Sequence, residues 1–142
     1  MTETYLEVTE QSFMRLMERQ VEGAITMLNL LRFRALADYQ ETPELAPDKP
    51  ISGREAYDRY IRHTLPYLEN TGGSITFLGA GGDYLVGPSG RGWDMAMLIR
   101  QNSVADFLSF ASNEAYLAGI GHRTAALVDS RILPLTDIDI PL

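Results

Sequence analysis

The chain predicts an α+β fold: a ferredoxin-like βαββαβ unit with an extra N-terminal helix and a four-stranded antiparallel sheet. Three observations predict it. After one leading helix, the hydrophobic periodicity runs strand, helix, strand, strand, helix, strand. Right-handed crossovers then give the spatial strand order 4-1-3-2. The two strands that fall in the centre, 24–34 and 93–100, are the two whose apolar residues occupy both faces. Helices cover only one face of such a sheet, so the other apolar face predicts a second copy packed sheet against sheet. The chain has 142 residues, which fits one domain. It divides into a leading helix at 9–22, a core at 24–134 and a tail at 135–142.

Each element has its own warrant. Thr9 can cap the first helix, and Phe13, Leu16, Met17 and Val21 form its apolar stripe until Gly23 stops it. In the first strand, Ile25, Met27, Leu31 and Phe33 share one parity and Leu28 and Leu30 the other. Residues 35–51 make a polar, Pro-rich connection of lid-like length. Ser52-Gly53-Arg54-Glu55 is a capping box, and Tyr57, Tyr60, Ile61, Leu65 and Leu68 are the buried stripe of the helix that follows. Pro66 should kink or loosen its last turn, and Gly72-Gly73 ends it. The second strand spans 74–80, with a short extra strand at Tyr84-Leu85-Val86. The third spans 93–100. A helix starts after Ser103, a second short one at Ser112, and the last main strand spans 123–133. Pro134 and Pro141 mark a loose tail.

Composition excludes several chemistries. The net charge is −7, so no uniform basic footprint for nucleic acid exists. Without cysteine there is no disulfide, thiolate nucleophile or iron–sulfur cluster. Basic charge is eleven Arg and the single Lys49, which sits in a Pro-flanked turn, so Schiff-base chemistry is not expected. Two histidines, His63 and His122, cannot build a multi-histidine metal centre within one chain, and no metal or cofactor is expected. No apolar run reaches the ~18 residues of a membrane helix. The start, Met1 to Glu7, lacks the basic and apolar regions of a signal peptide, and the expected location is cytoplasmic. Gly79-Ala80-Gly81-Gly82-Asp83-Tyr84 imitates a dinucleotide loop, but Tyr84 holds the third glycine position and no helix follows. Gly82 to Gly87 has P-loop spacing with Pro88 where the lysine must stand. Both stretches read as turns.

The predicted topology gathers polar residues at one end of the sheet. Arg32, Arg34, Trp93, Asp94, His122, Arg123 and the helix start at Ser52 converge beside the 35–51 loop. Two arginines and helix N–H groups there suit a small anionic ligand, most simply a carboxylate. The plainer reading pairs Arg32 with Asp94. Asn29 is unusual in mid-strand; it is either a satisfied buried amide in a dimer contact or a ligand-facing group. Tyr60, His63 and Tyr67 lie along one helix edge. His63 is a candidate general base, with packing as its plainer role, and Asp94 is the other catalytic candidate. Asp129 and Arg131 alternate on one strand face and read as a structural pair or interface contact. Met95 and Met97 read as core.

Several segments together resemble a bacterial domain-of-unknown-function family, DUF thirteen-thirty, in the dimeric α+β-barrel superfamily. They are Asn29-Leu30-Leu31-Arg32-Phe33-Arg34, Ser52-Gly53-Arg54-Glu55-Ala56-Tyr57 with Tyr60, Gly72-Gly73, Trp93-Asp94, Asn113-Glu114-Ala115-Tyr116, and Arg123-Thr124-Ala125-Ala126 through Asp129-Ser130-Arg131. They cover about residues 24–134. One departure is Gln101-Asn102-Ser103, where the family favours proline before the serine. The resemblance implies a ferredoxin-like protomer and a homodimer, and it assigns no activity. Two readings of function stay open. One is a metal- and cofactor-free enzyme, monooxygenase- or isomerase-like, in which Trp93, Asn29, Arg32 and His63 hold a small organic acid or aromatic. Tyr60 and Arg123 complete its ligand-binding candidates. The other is a non-catalytic dimeric ligand-binding or structural protein. Haem binding through His63 or His122 has no supporting context around either residue. An enclosed polar pocket would favour the first reading and a filled core the second.

Overall fold

The computed structural model describes residues 3–90 and 92–141. Met1 and Thr2 of the leading segment, Arg91, and Leu142 of the tail lie outside them. Four strands, β1 (Ile25–Phe33), β2 (Ser74–Gly82), β3 (Trp93–Gln101) and β4 (Leu127–Leu135), form one sheet in the order β2-β3-β1-β4. Every neighbouring pair is antiparallel. This is the predicted 4-1-3-2 order, with the two doubly apolar strands in the centre.

Strand alternation separates two faces. On one, Leu31, Met95, Met97 and Leu127 join Ala56, Tyr57, Tyr60 and Leu68 of α2 (Gly53–Asn70) in a buried cluster. Helix α2 begins where Ser52 accepts the Glu55 N–H at 3.0 Å, and it continues past Pro66 to Asn70, capped by Thr71. Its start is pinned to the end of β1: Gly53 donates to the Arg34 carbonyl at 3.1 Å. A Cβ at Gly53 would collide with the Arg34 and Ala126 carbonyls, so only glycine fits there. The remaining helices are α1 (Glu10–Glu18), α3 (Val104–Ala111), α4 (Glu114–Leu117) and α5 (Gly121–Ala126). The Phe110 and Tyr116 rings of α3 and α4 pack in a tilted pair with centroids 4.4 Å apart and complete the core.

Four local expectations are corrected. Helix α1 ends at Glu18 rather than at residue 22, and it buries none of its side chains. Tyr84 to Val86 are irregular rather than a strand, and Leu85 and Val86 stand in solvent. Residues 121–126 are helical, so β4 starts at Leu127 rather than at 123. Main-chain bonds from His122 to Gly119 and from Arg123 to Ile120 continue the turns that follow α4. Finally, β4 extends to Leu135, with Pro134 opposite Met27. Proline is tolerated because β4 is an edge strand.

Candidate functional site

The helical start of α5 disperses the cluster expected at one end of the sheet. Arg123 is buried in α5 and donates to the Leu6 carbonyl at 2.6 Å and to Ser130 Oγ at 3.1 Å. It anchors the N-terminal segment and is spent on protein groups. Tyr5 extends this anchor: its N–H reaches Asp129 at 2.8 Å, and its carbonyl accepts the Ser130 N–H at 2.9 Å.

Arg32 is corrected in the same sense. Its partner is Asp129 at 3.2 Å, not Asp94. Its Nε and one terminal nitrogen reach the Gly92 carbonyl at 3.1 and 2.8 Å. Its guanidinium also lies 4.3 Å from the Trp93 ring centroid, and Arg131 approaches the same ring at 5.2 Å. Asp94 instead accepts the Phe33 N–H at 2.8 Å from an exposed position. The fully buried Asp129 is the centre of this network, and it also pairs with Arg131 at 2.6 Å, as expected for that pair. Burial alone would raise the Asp129 pKa. Hydrogen bonds from the Tyr5 N–H, Arg131 and the Ser130 N–H outweigh it and hold the carboxyl below its ordinary value. A sequence signal for this hub existed in the Asp129/Arg131 alternation. The contributions of Tyr5 and Arg123 come from residues more than a hundred positions apart, and no local pattern reveals them.

The remaining candidates are internal. Asn29 is buried, with its side-chain amide donating to the Met27 carbonyl at 3.1 Å. Strand alternation places it on the covered face with Met27 and Leu31, away from any sheet-to-sheet contact. The Tyr60 and Tyr116 hydroxyls meet at 2.6 Å inside the core. Burial first, then Tyr60, pushes the Tyr116 phenol well above its ordinary pKa. His63 Nε2 lies 2.9 Å from the Ala115 carbonyl and 3.2 Å from that of Tyr116. Carbonyls only accept, so Nε2 carries the proton, and His63 braces α4 rather than serving as a base through that nitrogen.

Two features face outward. Tyr39, from the 35–51 loop, meets His122 Nδ1 of α5 through its hydroxyl at 2.8 Å. Burial, then Arg59 and His63, lower the His122 pKa. Separately, an open cleft of about 470 Å3 runs between the N-terminal segment and the start of that loop. Tyr5, Glu7, Arg34, Asp38, Gln40 and Glu41 contribute to its walls. Among the described residues, no three His, Asp or Glu side chains come together as metal ligands. No helix among them is long and apolar enough to cross a membrane.

The chain matches no protein-family profile and no curated protein. Solved structures do match. A dimeric ferredoxin-like protein of unknown function from Bacteroides fragilis is 11% identical, with a TM-score of 0.46 over 79% of this chain and 94% of that one. The RPA0582 protein of Rhodopseudomonas palustris, of unknown function, is 30% identical with a TM-score of 0.85, over 97% of this chain and 100% of that one. Its methylated form is 31% identical with a TM-score of 0.84, over 96% of both chains. At that identity over nearly the whole of both chains, this protein belongs to the family of Rhodopseudomonas palustris RPA0582.

Proposed function

We propose that the protein is a non-catalytic homodimer, joined sheet to sheet, that binds a small polar ligand at its surface. We further propose that the family it shares with RPA0582 is DUF thirteen-thirty. One observation carries the assembly. The strand register lines up Phe77, Leu98, Leu28 and Leu133 in a single row across all four strands, on the face that no helix covers. Phe77 and Leu133 are each 53% exposed. The accessible surface supports the same reading. It is 9394 Å2, against roughly 7,300 Å2 for a compact monomer of 15.8 kDa. The excess exceeds the ~800 Å2 per partner of a standard interface. Helix α1 adds Phe13, Met14 and Met17, all exposed, and Arg19 just beyond it donates to the Pro134 carbonyl beside Leu133. A second copy would cover both surfaces together.

The filled core favours binding over catalysis. Tyr57, Tyr60, Phe110 and Tyr116 occupy the space between sheet and helices, where an enclosed active site would lie. Sedimentation of the intact chain is the test. We expect a species of twice the chain mass at micromolar concentration, and dissociation on Leu28→Glu with secondary structure retained. A stable wild-type monomer would overturn the proposal.

One observation favours an enzyme instead: the Tyr39–His122 pair, a phenol and an imidazole within hydrogen-bond reach, with Tyr39 lining an open cleft of about 300 Å3 within the 35–51 loop. Turnover of a small organic acid that His122→Gln abolishes would establish that reading.

A further inference from the structure

We propose that the cleft at Arg34 binds an amino-acid-like ligand that carries both a carboxylate and ammonium groups, preferentially a basic one. The proposal rests on the ligand-binding reading above and names the chemistry of its ligand. Arg34 leaves β1 with its main chain fully committed: its N–H donates to the Ala126 carbonyl at 2.8 Å, and its carbonyl accepts from Gly53 at 3.1 Å. The backbone is thus fixed between β1, α2 and α5. The side chain is not committed. Its Nε is buried without a hydrogen-bond partner. Among the described residues, Arg34 makes no ion pair, although Glu7, Asp38 and Glu41 line the same cleft. None of those three carboxylates pairs with a described arginine or lysine either.

Both signs of charge therefore share a cleft of about 470 Å3 without neutralising each other. The terminal guanidinium nitrogens, which no described protein group engages, are the ones open to the cleft, and a ligand carboxylate there would supply their missing acceptors. The three acids leave the walls net negative, so the rest of the ligand should be cationic. The arrangement differs from that of Arg32, two residues earlier, which Asp129, Gly92 and Trp93 occupy.

The test is calorimetry with four probes of similar length: L-lysine, L-norleucine, hexanoate and cadaverine. L-lysine should bind best. Norleucine lacks the side-chain ammonium and should bind about 10-fold or more weakly. Arg34→Gln should weaken lysine and hexanoate about 10- to 150-fold and leave cadaverine unchanged. Glu41→Gln should weaken lysine and cadaverine and leave hexanoate unchanged. Far-ultraviolet circular dichroism checks that each variant is folded, and Arg34→Lys, which keeps the charge, should bind lysine better than Arg34→Gln. Equal binding of all four probes, lysine binding unaltered by Arg34→Gln, or no heat from any probe at about 10 mM would overturn the proposal. Parallel sedimentation separates it from the assembly. A monomer that binds lysine refutes the dimer alone, and a dimer that binds no probe refutes the cleft alone.

Discussion

On the covered face, β1 places Ile25, Met27 and Leu31, each at most 3% exposed. On the other face, the same strand places Leu28 and Leu30, both half-buried, the first in a row with Leu98 and Leu133 and the second in a row with Ala96 and Arg131. The residue types are similar, yet only one face has its helices. Side-chain chemistry alone therefore does not decide burial here. The connections do, because α2 and α3 to α5 all pack on one side. An apolar row left open by topology is best explained by a partner, since an exposed patch of that order is an aggregation hazard in a monomer. The difference also sorts the polar groups. The covered face holds isolated ones: Asn29 and the Tyr60–Tyr116 pair are satisfied locally, and the buried Gln101 amide has no partner among the described residues. The open end holds a shared network around Asp129.

The largest expected effect lies in that network. Asp129→Ala leaves Arg32 and Arg131 without their buried carboxylate and frees the Tyr5 N–H. Arg32 and Arg131 are 28% and 39% exposed, so the cost comes from the lost charge-assisted hydrogen bonds and the orphaned Tyr5 N–H, about 3–5 kcal/mol together, which denaturant unfolding should register. Limited proteolysis should then cut within residues 3–9, released from β4. A loss of only a few tenths would show that the arm is held by other contacts.

Leu31→Ala and Leu98→Ala compare the two faces directly. Leu31 is fully buried, and its truncation should cost about 2–5 kcal/mol with the dimer mass unchanged in sedimentation. Leu98 lies on the open row and should cost less than about 1 kcal/mol in the protomer while weakening the dimer. If both variants destabilise equally and neither affects assembly, the faces are not distinct in the way the register implies.

Tyr60→Phe probes a smaller term inside the covered face. It leaves the Tyr116 hydroxyl buried without its 2.6 Å partner, at a cost of about 1–3 kcal/mol. Replacing both tyrosines by phenylalanine removes the orphan and should recover most of that loss. A double variant no better than the sum of the singles would show that each hydroxyl has an independent partner.

Much of the fold was legible in the chain. The strand order followed from periodicity and crossover handedness, and the central strands from their two apolar parities. Local pattern does not separate helix from strand at α5, because Thr124 to Leu127 is β-branched, small and apolar, which suits either state over so few residues. The short helix wins through packing. Gly121 fits closely against Thr42 and Leu45 of the 35–51 loop, and Gly53 fits against Ala126. That change moved His122 and Arg123 off the sheet and dissolved the expected cluster. Arg32 and Arg34 look equivalent in the sequence, but which of them is occupied depends on Asp129, ninety-seven residues from Arg32. Sequence spacing carries no such information.

The smallest effect is a pH dependence centred on the loop that crosses α5. His122 is hydrogen bonded to Tyr39, and burial together with Arg59 and His63 lowers its pKa in the folded chain. The unfolded chain therefore takes up the proton first. Between the ordinary histidine value of about 6.5 and the lower folded value, the unfolded state binds more protons. Stability should then be full above about pH 6.5 and fall as pH drops below it, with a slope of at most about 1.4 kcal/mol per pH unit. Tyr39 does not interfere, because burial raises its already high pKa. Asp129 acts in a separate window: its lowered value gives stability that is lost only as pH falls below the ordinary carboxylate range. Denaturant unfolding of wild type and His122→Gln from pH 5 to pH 8 separates the two. The variant should be flat across this range, and its difference from wild type should shrink as the pH falls. An unchanged slope in His122→Gln would place the titration elsewhere and detach the 35–51 loop from the imidazole.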